Sequence, residues 1–150
     1  MTQTIVTRPT ATTTAAPVRQ RREVNLALWA LQVVMAAVFL MAALPKLTAD
    51  PQAVAGFTAI GLGETGMYVI GSLEIAGAIA LLIPLLGGLA GLAFVGLMTG
   101  AVLSTLLVFG PELVVMPAIV LVLVAIIAWG RRGRSAQLLA LVRNHRLKGR

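Results

Sequence analysis

The chain of 150 residues has no cysteine, and its one histidine, His145, lies close to the C-terminus. Without thiols it can form no disulfide, no thiol redox couple and no Cys-based metal site. A single histidine in a basic tail also excludes a haem held by two histidines within an apolar helix. Charge is scarce as well. Asp, Glu, Lys and Arg make up 11% of the residues, where a soluble domain of this size needs about a quarter to keep its surface hydrated. Aromatic residues amount to 5%, too few to interleave with bases as a nucleic-acid surface would require, despite the net charge of +7. No catalytic triad, phosphate-binding loop or metal-ligand spacing occurs. The chain is therefore not expected to be an enzyme on its own, and no metal or cofactor site is evident.

Hydrophobic residues fill this space. They form 59% of the chain, and the mean hydropathy is +0.96. The distribution of the basic residues explains the net charge. Arg8, Arg19, Arg21 and Arg22 precede the first apolar run, and Arg131, Arg132, Arg134, Arg143, Arg146, Lys148 and Arg150 follow the last one. Only Lys46 lies between them. Apolar segments with basic flanks are the pattern of a polytopic membrane protein whose Lys and Arg stay on the cytoplasmic side.

Four spans are predicted. The first is "LALWALQVVMAAVFLMAAL", residues 26–44, long enough at roughly 28 Å to cross the hydrocarbon core. A signal peptide is the rival reading, but its apolar core would be shorter than this run. From Gly66 to Phe109 there is one charge in 44 residues, and a single helix of that length would be roughly twice the core thickness. It must fold back, and Pro84, Gly87 and Gly88 in "IPLLGGLAG" supply the break. The second and third spans are thus expected near 66–84 and 88–109. The fourth, "LVVMPAIVLVLVAIIAW" at 113–129, runs straight into "GRRGR". The expected fold is all-α: a four-transmembrane-helix bundle over residues 24–130. It is flanked by a disordered basic tail at 1–23, for which an organelle transit peptide is the rival, and a basic tail at 131–150.

With both termini in the cytoplasm, the 45–65 and 110–112 connections lie outside. They carry Lys46 against Asp50, Glu64 and Glu112. In the first connection Asp50 can cap a short helix that has Pro51 in its first turn and Gly61 just beyond its end. Val54, Phe57 and Ile60 then share one face, an amphipathic helix in the outer interface or tucked into the bundle. Thr65 can cap the second span. At the far end, "SAQLLALVRNHRLKGR" puts Leu138, Leu141 and Val142 on one side. This reads as an interfacial helix attracted to anionic lipids, or as a plain topology signal.

Glu74 is the one charge inside a span, within "IGSLEIAGAIALLIP". A charged acid near the middle of a spanning helix costs about 2.5–3.5 kcal/mol on insertion, so it should face the bundle and find a partner. Lys46 is the only cation outside the tails and leaves the first span on the side where the second enters. The two could meet, and Glu74 then reads as part of a buried ion pair or hydrogen bond that fixes packing, as a proton or substrate site, or as a side chain that merely snorkels or faces a pocket. Gln32, Thr99, Ser104 and Thr105 are candidates for polar contacts between helices or with local carbonyls. Three sets of small residues have the spacing of close helix contacts: Ser72, Ala76 and Ala80; Gly87 and Gly91; Gly96 and Gly100. The scattered Met35, Met41, Met67, Met98 and Met116 read as core or lipid-facing filler. Trp29 and Trp129 suit an aromatic belt on the cytoplasmic side.

The order "FLMAALPKLTADPQAVAGFTAIGLG", "IGSLEIAGAIALLIP" and "MTGAVLSTLLVFG" resembles the DoxX-like family of small four-helix membrane proteins. These have a Lys-Leu after the first span and a Leu-Glu inside the second, which map onto Lys46 and Glu74. The resemblance covers roughly residues 24–130. It implies a bacterial plasma-membrane protein, a non-catalytic subunit or anchor beside a soluble or membrane oxidoreductase of a quinone-linked system, with quinone as the only implied cofactor. A small proton-linked transporter using Glu74, and a membrane scaffold or assembly factor, remain as alternatives. Homo-oligomerisation is left open.

Overall fold

In the computed structural model the backbone is described over residues 16–148 and the side chains over residues 22–132. Helix α1 spans Ala16–Leu47, α2 Pro51–Ala59, α3 Gly63–Leu82, α4 Gly87–Val108 and α5 Val115–Lys148, with a short 3-10 turn at Pro111–Leu113 before α5. Among the described residues there is no strand. Four segments among the described residues are long and apolar enough to cross a membrane: Arg22–Leu47, Gly63–Leu82, Gly87–Val108 and Val115–Arg132.

The breaks have local causes. Lacking an amide proton, Pro45 and Pro84 cannot donate to the carbonyl four residues earlier. After α1 the chain reverses at Ala49, whose φ is +54, and Asp50 accepts a bond from the amide of Gln52 at 2.9 Å. That satisfies one of the free donors at the start of α2. Past the end of α2, Gly61 (φ +81) and Gly63 (φ +59) turn the chain again, a conformation that costs glycine little. These two turns start α3 before Thr65, which stands in the first turn of the helix and not at its cap. Ile83 then leaves helical geometry, and its carbonyl takes the amides of Leu86 and Gly87, so α4 folds back from α3 within a few residues.

The tails depart from expectation in extent. The first helix already begins at Ala16, inside the stretch expected to be disordered, while residues 1–15 lie outside the described residues. Helix α5 continues without a break through the fourth apolar run to Lys148. The side chains of Leu138, Leu141 and Val142 lie outside the described ones.

Packing joins the helices as two intimate pairs, α1 on α3 and α4 on α5, with lighter contact between the pairs. The core consists of Met35, Ala36 and Phe39 from α1, Ala78 and Leu81 from α3, Ala90, Phe94 and Met98 from α4, and Val124 and Ile127 from α5. Phe39 and Phe94 stack with centroids 3.6 Å apart and planes 4° from parallel, which ties the two pairs together. Gly91 lets α4 approach α5 closely: a Cβ there would stand 3.0 Å from the amide nitrogen of Ala128.

The small-residue pattern is only partly used for packing. Gly87 and Gly91 are buried, but Ser72, Ala76, Gly96 and Gly100 are exposed. The inward face of α3 is Met67, Gly71, Glu74, Ala78 and Leu81. The reason is electrostatic. Turning Glu74 inward to meet a partner rotates Ser72 and Ala76 outward on the same helix.

Large apolar side chains cover the surface as well as fill the interior. Leu107 is 82% exposed and Met116 72%, whereas among the described residues the buried polar side chains are Gln32, Glu74 and Arg131. In water this arrangement would be unstable, because the hydrophobic effect would drive the aliphatic belt inward. In a bilayer the aliphatic belt meets lipid and the polar groups find one another inside. Met35, Met67 and Met98 fill the core, and Met41 faces outward with Met116.

Candidate functional site

Glu74 and Lys46 meet near the end of the bundle covered by α2. Lys46 comes from the last turn of α1 and Glu74 from the inward face of α3. Lys46 Nζ lies 2.8 Å from Glu74 Oε2 and also donates to the Ala42 carbonyl at 2.7 Å. Glu74 is 3% exposed, so its carboxylate depends on this charge-assisted bond. Gly71, one turn before Glu74, makes room for the lysine: a Cβ there would sit 3.1 Å from Lys46 Cβ.

The ion pair is part of the wall of a cavity of about 650 Å³. All five helices contribute to the lining. Phe39 comes from α1, Phe57 from α2, Glu74 from α3, Ser104 and Thr105 from α4, and Val120 from α5. Helix α2 closes one side of this space. Its Val54, Phe57 and Ile60 face is half-buried, while Ala55, Thr58 and Ala59 are exposed.

Three glycines line the cavity without serving any close contact. A Cβ built on Gly56, Gly96 or Gly100 would meet nothing within 4 Å, and all three border the cavity. Glycine within a helix costs roughly 0.5–1 kcal/mol relative to alanine. Here that cost brings no tighter helix packing; it keeps space open.

A second polar cluster sits at the other end, where the tails emerge. Gln32 is fully buried and donates through Nε2 to the Leu81 carbonyl at 2.6 Å. That carbonyl belongs to the last turn of α3, where the helix supplies no amide of its own. Gln32 Oε1 accepts a bond from Arg131 Nε at 2.8 Å, and Arg131 Nη1 donates to Asn25 Oδ1 at 2.7 Å. The same guanidinium lies 5.4 Å from the centroid of the Trp29 ring. One arginine, 3% exposed, thus joins α5 to α1, and through Gln32 to α3.

The other sequence candidates divide by location. Thr99 donates to the Val95 carbonyl on its own helix at 2.7 Å and does not reach another helix. Ser104 and Thr105 border the cavity with Lys46 and Glu74. Arg131 and Asn25 were missed as site residues, since Arg131 reads as one more basic residue after an apolar run. The available signal was depth. Arg131 follows the fourth span at the level where Asn25, Trp29 and Gln32 enter the first. Among the described residues no group of His, Asp or Glu has the arrangement of a metal site.

Comparison with known proteins adds the family. The model for the DoxX-like family matches residues 30–127, a stretch that contains Gln32, Lys46, Glu74 and the cavity-lining part of every helix. No curated protein and no solved structure shows a significant match to the chain.

Proposed function

The chain belongs to the DoxX-like family, and from that premise we propose that it is a non-catalytic membrane subunit of a quinone-linked oxidoreductase system. Its part is to hold an amphipathic molecule of the quinone class within the bilayer, next to a partner that carries the redox chemistry. The observation that supports this most is the cavity. Its volume of about 650 Å³ lies in the range of small-molecule sites, and an apolar lining with a few convergent polar groups is the composition such sites have. Gly56, Gly96 and Gly100 support the fit, because their missing side chains leave room for a ring. Phe39, Phe57, Leu97 and Met98 offer it apolar contact, and Lys46, Ser104 and Thr105 can hydrogen-bond a ring oxygen. The proton-carrier alternative draws less support, since Lys46 already holds the carboxylate it would use.

The test is a titration of the protein in nanodiscs with a decyl-substituted benzoquinone and its hydroquinone. Saturable binding is expected, together with its loss in Gly100→Leu, which adds a bulky side chain at a glycine bordering the cavity and leaves Lys46 and Glu74 themselves unaltered. Absence of saturable binding to the unaltered protein, or equal binding by Gly100→Leu, contradicts the proposal.

The proposed setting is a bacterial plasma membrane with both tails in the cytoplasm, as the basic flanks favour. The chain has no cysteine, so single replacements can be labelled without background. In intact cells Thr58→Cys, on the exposed face of α2, should react with an impermeant thiol reagent, and Ser135→Cys should not. The reverse pattern would invert the orientation.

A further inference from the structure

We infer that the cavity selects an uncharged head group bearing a hydroxyl, such as a phenol or hydroquinone, over the matching quinone. This rests on the cavity being a ligand site as proposed above. Glu74 Oε2 is taken by Lys46. Oε1 accepts no hydrogen bond from any described residue, and Glu74 is one of the residues that line the cavity. A lysine ammonium has three protons to donate, and among the described residues Lys46 uses two, toward Ala42 and Glu74. Lys46 also lines the cavity. The pair therefore presents one acceptor and one donor side by side, with no net charge.

Each class of head group meets this pair differently. A hydroxyl donates to Oε1 and accepts from Nζ, so both atoms are satisfied at once. A quinone carbonyl can accept from Nζ but only sets its lone pairs against Oε1. An ether behaves like the carbonyl. A charged head group has no countercharge left, and burying it costs far more than burying a neutral one. The apolar remainder of the lining takes the ring and the start of its tail. A lipid with a free hydroxyl, such as a diacylglycerol, shares the recognised chemistry and is the other possible source of the ligand.

Four probes separate these possibilities by calorimetric titration in nanodiscs: the decyl hydroquinone, its dimethyl ether, the benzoquinone, and dioctanoylglycerol. The hydroquinone is expected to bind on the order of tenfold more tightly than the quinone or the ether, the value of one hydrogen bond to a charged group. In Glu74→Gln that difference should collapse, and in Gly100→Leu all binding should be lost. Equal affinity of hydroquinone and dimethyl ether for the unaltered protein overturns the inference, whatever the variants do, while leaving the quinone-class site in place. Binding of dioctanoylglycerol alone, lost in Gly100→Leu, keeps the hydroxyl preference and refutes the quinone-linked function. If no probe binds, both are refuted.

Discussion

Replacing Arg131 with methionine should destabilise the bundle by about 3 kcal/mol, measured as unfolding in mixed detergent micelles. The replacement strips two hydrogen bonds from a charged donor and leaves the buried oxygen of Gln32 without its partner. Bonds to charged groups contribute about 1.5–3 kcal/mol, and an orphaned buried acceptor costs about 1–3 kcal/mol. Arg131→Lys should not restore the loss. A lysine has one nitrogen and cannot reach Gln32 and Asn25 as the guanidinium does through Nε and Nη1. The neighbouring residue is the control. Arg132 is exposed and lies 4.2 Å from the ring centroid of Trp129, itself 73% exposed, so Arg132→Met should change stability little. Equal effects at 131 and 132 would mean that Arg131 acts only as one of many basic residues flanking a span.

That contrast marks how far the sequence could be read. Span length and hydropathy follow from the thickness of the bilayer, so the four helices and the short α2 with its Asp50 cap were visible in the residue order. Which face each helix turns inward was not. Small residues at every fourth position suggest a contact face on any helix, but in α3 the need to shelter Glu74 decided the rotation. Gly96 and Gly100 carry the same spacing as Gly87 and Gly91, yet Gly91 admits a neighbouring backbone and the other two leave a cavity. Spacing alone cannot separate these uses, because both require a missing side chain. Arg131 was obscured for a related reason: a basic residue at a span end serves topology by default, and its burial depends on Asn25, Trp29 and Gln32 being brought beside it by the fold. Glu74 and Lys46 were legible because they are isolated. With one cation between the tails, Glu74 has a single possible partner, although Lys46 also has Asp50, Glu64 and Glu112 in the outer connections.

The ion pair at the cavity wall is the centre of this account, and a double-mutant cycle on it is the most direct measurement. Glu74→Gln and Lys46→Met should each destabilise the bundle in detergent by about 3 kcal/mol, since removing one partner of a buried pair leaves the other charge uncompensated. Lys46 is 16% exposed, so its charge keeps some access to solvent and the loss should fall at the low end for such pairs. The double replacement removes both charges. It should recover part of the loss, with a coupling between about 0.5 and 3 kcal/mol, as expected for residues in contact. Recovered stability without recovered preference for the hydroxyl-bearing probe is the full expectation: the two charges hold the helices together, and they also read the head group. Strictly additive losses would contradict it, since Glu74 and Lys46 would then not meet, and Glu74 would have to shelter its proton or charge in the cavity alone.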